Sequence, residues 1–331
     1  MIKKLKKIQK FMNYKPIVIV AGEPNSIFLE IFFKSLIKKK FKSPILIICS
    51  YKLFLLQMKK LNYNFKINVL DINSIKLDLK KNKINLINVD YKTHKAFEKI
   101  SAKSNQYIEN CFNIAIRLLT SGLSNKFING PISKKHFLNN KHLGVTEYLA
   151  KKTNCKKFAM LIYNKKLSVV PITTHLPIKL VAKNLNKKDI INKIQLIHYF
   201  YKKNFNKNPN IAVTGLNPHC ESILKYNEDT KMVKRSVNYL KNKKLKIKGP
   251  FSADTIFLKN NRKQFDVIVG MYHDQVLTPM KTLNEYDAIN ITLGLPFIRV
   301  SPDHGPNEKM LGKNKSNPLS LLNAITFLDK F

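Results

Sequence analysis

Three histidines share one setting in this sequence. His175, His219 and His273 each close a short apolar run, in VVPITTH, IAVTGLNPH and VIVGMYHDQ. Residues just past a strand lie at the sheet edge where open α/β folds bind ligands, so three imidazoles placed there can converge on one cleft. Three protein ligands with one position left open is the arrangement of a catalytic metal site, and imidazole suits zinc, iron, nickel or cobalt. A single histidine after a strand is more often a hydrogen-bonded loop residue; the repeated context is what points to a divalent metal. No local HExxH motif is present, and the three positions are far apart in the chain.

Other groups supply the rest of a possible site. Lys281, Asn290 and Arg299 lie within PMKTLNEYDAINITLGLPFIR, two cations and an amide suited to a phosphate or carboxylate. Arg299 ends an otherwise apolar segment in a chain where arginine is rare. Asp254, in GPFSADTIF, has three readings: it orients a metal-bound water, acts as acid or base, or caps a helix. Gly22, Glu23 and Pro24 follow the first apolar run without the glycines of GxGxxG and without a P-loop. A serine nucleophile has no GxSxG turn, and Cys220 adjoins His219, which puts the two side chains on opposite sides of an extended backbone.

The elements that must carry these residues alternate. KPIVIVAG, SPILIICS, NKINLINV, NKFINGP, KLSVVPITTH, NIAVTGLNPH, FDVIVGMYHDQ and INITLGLPFI are strand candidates, separated by longer helical patterns. This is the pattern of an α/β protein with a parallel sheet and crossover helices. At 331 residues the chain has room for two domains around a cleft. No Pro- or Gly-rich linker divides it. The expected arrangement is discontinuous, with residues 1–135 and 285–331 forming the first domain and 136–284 the second, which carries the histidines.

Sixty Lys and Arg against twenty Asp and Glu give a formal charge of +40. Phosphate-backbone binding needs clustering as well as charge, and the lysines are scattered along the whole chain, so no specific nucleic-acid partner is expected. The excess helps attract anionic small substrates. Cys49, Cys111, Cys155 and Cys220 show no CxxC or zinc-finger spacing, which fits a reducing compartment. With no signal-peptide pattern and no apolar run of membrane-spanning length, a cytoplasmic location off the membrane is expected.

Several segments together resemble the 4-hydroxythreonine-4-phosphate dehydrogenase family of pyridoxal phosphate (vitamin B6) biosynthesis. They are GEP near the start, NGPISK at 129, GVTEYLA at 144, TTHLP at 173, GLNPH at 215, GPFSADTIF at 249, MYHDQ at 271 and NITLGLPFIRVSPDHG at 290, in family order over essentially the whole chain. The resemblance implies a fold of two α/β/α domains flanking a cleft, as in isocitrate and isopropylmalate dehydrogenases, and a homodimer. It implies that His175, His219 and His273 bind a divalent metal, zinc foremost with magnesium or cobalt as alternatives, with ligands drawn from both subunits. Thr146, Lys281, Asn290 and Arg299 match substrate-binding positions, the last three toward the phosphate. NAD or NADP binds without a GxGxxG loop, and Asp303, His304 and Gly305 lie in a segment similar to part of the cofactor region. The implied reaction oxidises 4-phosphooxy-L-threonine to a 3-oxo acid that decarboxylates to 3-amino-2-oxopropyl phosphate.

The sequence departs from the family pattern at its ligand loops. Val145 stands where many members have His before Thr, with His142 the near alternative; GEPNSIFLE replaces a loop richer in glycine; CESILKYNED follows His219; and Pro306 and Asn307 follow the DHG segment. These changes keep other readings open: a related dehydrogenase of phosphothreonate or phosphoerythronate, a phosphate acyltransferase of similar architecture, a homologue without catalysis, or a nucleic-acid-binding protein suggested by charge alone.

Overall fold

The computed structural model describes residues 14–72, 78–138, 144–220, 227–285, 287–302 and 304–331. His142 and Asp303 lie outside these. The chain divides into two compact units, Met1–Leu149 with Pro296–Phe331 and Ala150–Leu295.

The first unit holds β1 (Ile17–Val20), β2 (Ile45–Cys49), β3 (Ile67–Val69), β4 (Ile84–Asn88), β5 (Lys126–Asn129) and β12 (Ile298–Ser301), ordered β3-β4-β2-β1-β5-β12. Every pairing is parallel. Parallel strands covered on both faces need side chains that are apolar on both faces, and IVIV in β1 and ILIIC in β2 are buried at every position. The helices α1 (Phe28–Lys38), α2 (Tyr51–Lys60), α3 (Asn105–Thr120) and α8 (Leu319–Leu328) belong to this unit. Phe28, Phe32 and Phe33 of α1 stack through Phe54 of α2 into one aromatic cluster. Ser50 accepts the Leu53 amide and so caps α2 where the chain leaves β2.

The second unit holds β6 (Ala159–Tyr163), β7 (Ser168–Pro171), β8 (Ile211–Thr214), β9 (Ile247–Phe251), β10 (Val267–Gly270) and β11 (Ile289–Leu293), ordered β11-β6-β7-β10-β8-β9. Helix α5 (Lys187–Phe205) buries Ile190, Ile194, Ile197 and Tyr201, the spacing of one helical face, and Asn186 caps it by accepting the Asp189 amide at 2.9 Å. Helices α6 (Arg235–Asn242) and α7 (His273–Asn284) follow. Val169, Ala212, Ile268, Val276 and Met280 belong to a core cluster drawn from this unit's residues.

Two sequence expectations change here. The strand pairing of the second unit is mixed, because β6 pairs antiparallel with both β7 and β11. The turn between β6 and β7 is too short for a crossover helix, and Asn164 closes it by accepting the Lys166 amide. INITLGLPFI, read as one strand, is two: the chain leaves β11 at Gly294, whose φ of +96° is open to glycine, and Pro296 supplies no ladder donor before β12 begins.

The units change over after residues 149 and 295, where the sequence reading had 135 and 284. The five-residue ladder between β11 and β6 holds residues 289–293 in the second unit. At the other crossing, Tyr148 packs edge-on against Phe112 and Phe137 of the first. Among the described residues, no helix is long and apolar enough to cross a membrane.

Candidate active site

In the second unit β7, β10, β8 and β9 lie side by side, all parallel, with Gly270 opposite Pro171 and Val269 opposite Val213. Their carboxyl ends therefore share one edge. His175 follows β7, His273 follows β10, His219 follows β8 and Asp254 follows β9. Spatial order pairs these groups as the strands are paired. The rings of His175 and His273 have centroids 6.0 Å apart, tilted by 37°. His219 lies close enough to Asp254 to favour its ionised form.

Backbone and side-chain ties hold these exits. Thr173 donates both its amide and its hydroxyl to the Met271 carbonyl, at 3.1 and 2.7 Å, joining the ends of β7 and β10. The buried Asp229 carboxylate accepts the amides of Leu216 and Asn217 at 2.6 and 3.1 Å and the Asn217 side chain at 3.0 Å, fixing the loop that precedes His219. His273 opens α7 and is about one-third exposed, with Asp274 Oδ1 2.6 Å from its Nδ1. A carboxylate on one ring nitrogen orients the other for a ligand, as carboxylate–histidine pairs do in metal sites.

The fit of these groups to a divalent metal can be judged on geometry. Two imidazoles on one zinc, with Zn–N bonds of about 2.0–2.1 Å, put their centroids roughly 5 Å apart. His175 and His273 are close to that separation. Among the described residues no three His, Cys, Asp or Glu side chains of one chain are gathered tightly enough to hold a metal ion. The donor chemistry of these imidazoles fits a divalent metal.

Asp254 is not a helix cap. Ser252 holds the cap position of the short helix Ala253–Ile256, and its hydroxyl donates to Asp254 Oδ1 at 2.5 Å, which with His219 nearby keeps the carboxyl below the usual carboxylate range. Lys281, in α7, has its ammonium pKa lowered by burial. Asn290, in β11, has a buried Oδ1 with no hydrogen-bond partner among the described residues.

Arg299 and Thr146 belong to the first unit, and there they meet. Arg299 is 3% exposed. Its Nε donates to Asn129 Oδ1 at 2.8 Å and one terminal nitrogen to Thr146 Oγ1 at 3.1 Å. Burial pushes the guanidinium down to about 10, with Glu147 opposing, so it stays charged at neutral pH. Val145 and Thr146 open α4 (Val145–Lys152). The loops around this cluster approach very closely: Gly130 donates to the Val20 carbonyl at 2.8 Å, and a Cβ on Gly130 would stand 2.1 Å from the Ala21 oxygen.

After β12, His304 is half-buried. Its Nδ1 lies 3.1 Å from the Gly305 carbonyl, burial lowers its pKa, and its buried Nε2 has no partner among the described residues. A neutral imidazole with an unused nitrogen suits a polar cofactor group. Gly305 is open, and a Cβ there would meet nothing within 4 Å among the described residues. Sequence reasoning passed over Asn129, Glu147, Asp229 and Asp274. All four lie inside segments quoted above, yet Asn129 and Glu147 act through Arg299, far along the chain.

Parallel strands joined through helices, in two α/β units, give a fold of the isocitrate dehydrogenase-like class. An isocitrate dehydrogenase from Methylococcus capsulatus shares this fold at a TM-score of 0.50 and 9% identity, over 95% of this chain and 84% of that one. The chain belongs to the PdxA family: the model for pyridoxal phosphate biosynthetic protein PdxA matches residues 40–328. It is 37% identical to the 4-hydroxythreonine-4-phosphate dehydrogenase of Sulfurihydrogenibium sp., over 93% of this chain and 96% of that protein. It is 36% identical to the D-threonate 4-phosphate dehydrogenase of Pectobacterium atrosepticum, over 68% and 70%. A solved structure described as a putative 4-hydroxythreonine-4-phosphate dehydrogenase from Salmonella typhimurium superposes at a TM-score of 0.83 with 29% identity, over 96% of this chain and 99% of the other.

Proposed function

We propose that this chain is a dehydrogenase that oxidises the secondary hydroxyl of a small phosphorylated hydroxy acid, with 4-phosphooxy-L-threonine as the first candidate and NAD or NADP as hydride acceptor. The 3-oxo acid so formed loses carbon dioxide to give 3-amino-2-oxopropyl phosphate. The observation that carries this reading is the row of His175, His273, His219 and Asp254 at one edge of four neighbouring parallel strands. A divalent metal held there by the three histidines, zinc foremost, with a second copy of the chain completing the ligand set, would acidify the hydroxyl and polarise the ketone.

The chain's own residues divide the remaining work. Arg299, buried and charged, and Thr146 suit an anionic group, with Lys281 and Asn290 as further contacts toward the phosphate. Asn290 offers a buried oxygen that must find a donor, and a substrate amine or hydroxyl would supply one. Asp254 stays ionised, which suits orientation and charge stabilisation at the His219 side better than proton storage. The segment of Asp303, His304 and Gly305 would meet the cofactor, with the free imidazole nitrogen of His304 as a hydrogen-bonding group.

A second substrate is phosphothreonate or phosphoerythronate. The apolar Val145 beside Thr146 and the likeness to a D-threonate 4-phosphate dehydrogenase favour it. A panel assay of NADH and NADPH formation separates the two. Turnover of 4-phosphooxy-threonine that disappears in His219→Ala is the expected result; turnover of a rival acid alone overturns the substrate, and no turnover by protein shown to be metal-loaded overturns the dehydrogenase reading.

A further inference from the structure

Gln275 lies two residues beyond His273, in the first turn of α7, and both the oxygen and the nitrogen of its side-chain amide are engaged. Oε1 accepts the Met271 amide at 2.7 Å and the Thr214 hydroxyl at 2.9 Å, and Nε2 donates to the Gly215 carbonyl at 2.8 Å. The first bond closes the exit of β10 toward His273. The other two cross to the exit of β8, four and five residues before His219. One side chain therefore joins the two loops that present these histidines.

Only an amide meets this pattern, which requires an acceptor for two donors and a donor for one carbonyl. Leucine offers neither, and an ionised glutamate would set an oxygen against the Gly215 oxygen. The tie matters because the His219 loop is not held by its own backbone preferences. His219 and Cys220 both occupy left-handed conformations, with φ of +55° and +60°, which surrounding contacts must sustain. Asp229 anchors the middle of the loop to its own following helix, whereas Gln275 anchors its base to the element that carries His273.

We propose that Gln275 is a positioning residue that sets the spacing of His219 and His273. The proposal rests on the reading above, in which the two imidazoles serve one metal. Three variants test it: Gln275→Leu, Gln275→Glu and Thr214→Val, the last removing a single bond and guarding against a variant that fails to fold. Backbone amide exchange is measured at Met271 and across 215–220, and cobalt(II) affinity by titration of its visible absorption.

Gln275→Leu should raise exchange at Met271 and across the loop by about tenfold or more, and Gln275→Glu, which keeps the acceptor for the Met271 amide, across the loop alone. They should weaken cobalt binding by about 10–100-fold. Thr214→Val should fall between these and wild type. Unchanged exchange in a folded Gln275→Leu protein overturns the proposal, and so does loosened exchange with cobalt affinity kept. Wild-type protein that binds no cobalt overturns the metal reading instead, and the exchange result still decides whether Gln275 holds the two loops.

Discussion

A charged group sealed from water must be held by its neighbours, and Arg299 and Glu23 meet that requirement in opposite ways. Removing an ion from water costs several kcal/mol. Arg299 offsets this with Asn129, Thr146 and the nearby charge of Glu147, and so keeps its proton. Glu23, at the exit of β1, is 2% exposed; burial raises its carboxyl pKa above the ordinary 4.5, against the lowering effect of its bonds to the Asn25 amide and Ser104 hydroxyl, and Glu308 adds to the rise. The folded protein therefore binds more protons here than the unfolded chain, and stability falls as pH rises from 4.5 through the folded value. Glutamine can keep both contacts, because Ser104 already donates to the Ser101 carbonyl and can accept in return. Urea midpoints followed from acid to neutral pH should fall less steeply for Glu23→Gln than for wild type; parallel curves would show that Glu23 does not titrate differently on folding. At this scale the sequence was most legible where a residue type was conspicuous. The histidines, Arg299 and Asp254 stood out by kind and setting, while Asn129 and Gln275, ordinary amides, matter through partners 170 and 60 positions away.

Strands and loops were legible in proportion to how fully they are buried. The eight apolar runs all contain strands, because a parallel strand covered on both faces leaves an unbroken hydrophobic signature. Those passed over are β3, half-exposed and three residues long, β6, whose AMLIY lies behind a basic stretch, β9, which carries Gly249 and Pro250, and β12, hidden in the run that also contains β11. The close approach of the β1 and β5 exits was not readable at all, since it depends on two loops more than a hundred residues apart. Gly130→Ala tests its rigidity. The added carbon would meet the backbone oxygen and carbon of Ala21 at 2.1 and 2.8 Å, so one exit must move. Overpacking against backbone should cost about 2–4 kcal/mol in chemical denaturation. A loss under about 0.5 kcal/mol, the range of a surface substitution, would mean that the exits part freely.

The whole chain is built from one interrupted unit and one continuous unit. Ala150–Leu295 carries six strands and a core cluster of its own residues, so a protein of residues 150–295 should fold alone, with native-like circular dichroism and one cooperative urea transition. A broad, non-cooperative transition would show that its core depends on the rest of the chain. The +40 charge has little bearing on this, since scattered lysines act on solubility and encounter rather than fold. The strand order of this unit also sets a timetable. β10 is made after its two neighbours yet lies between them. In chain order β6, β7, β8 and β9 all precede β10, so His175 and His219 are both made before the strand that comes to lie between theirs. No direct ladder joins β7 to β8 in the finished sheet, and β10, which pairs with both, leads directly into the third histidine. The strand that joins the two halves is thus the one that brings the third histidine, and among this unit's strands only β11, at the β6 edge, is made after it.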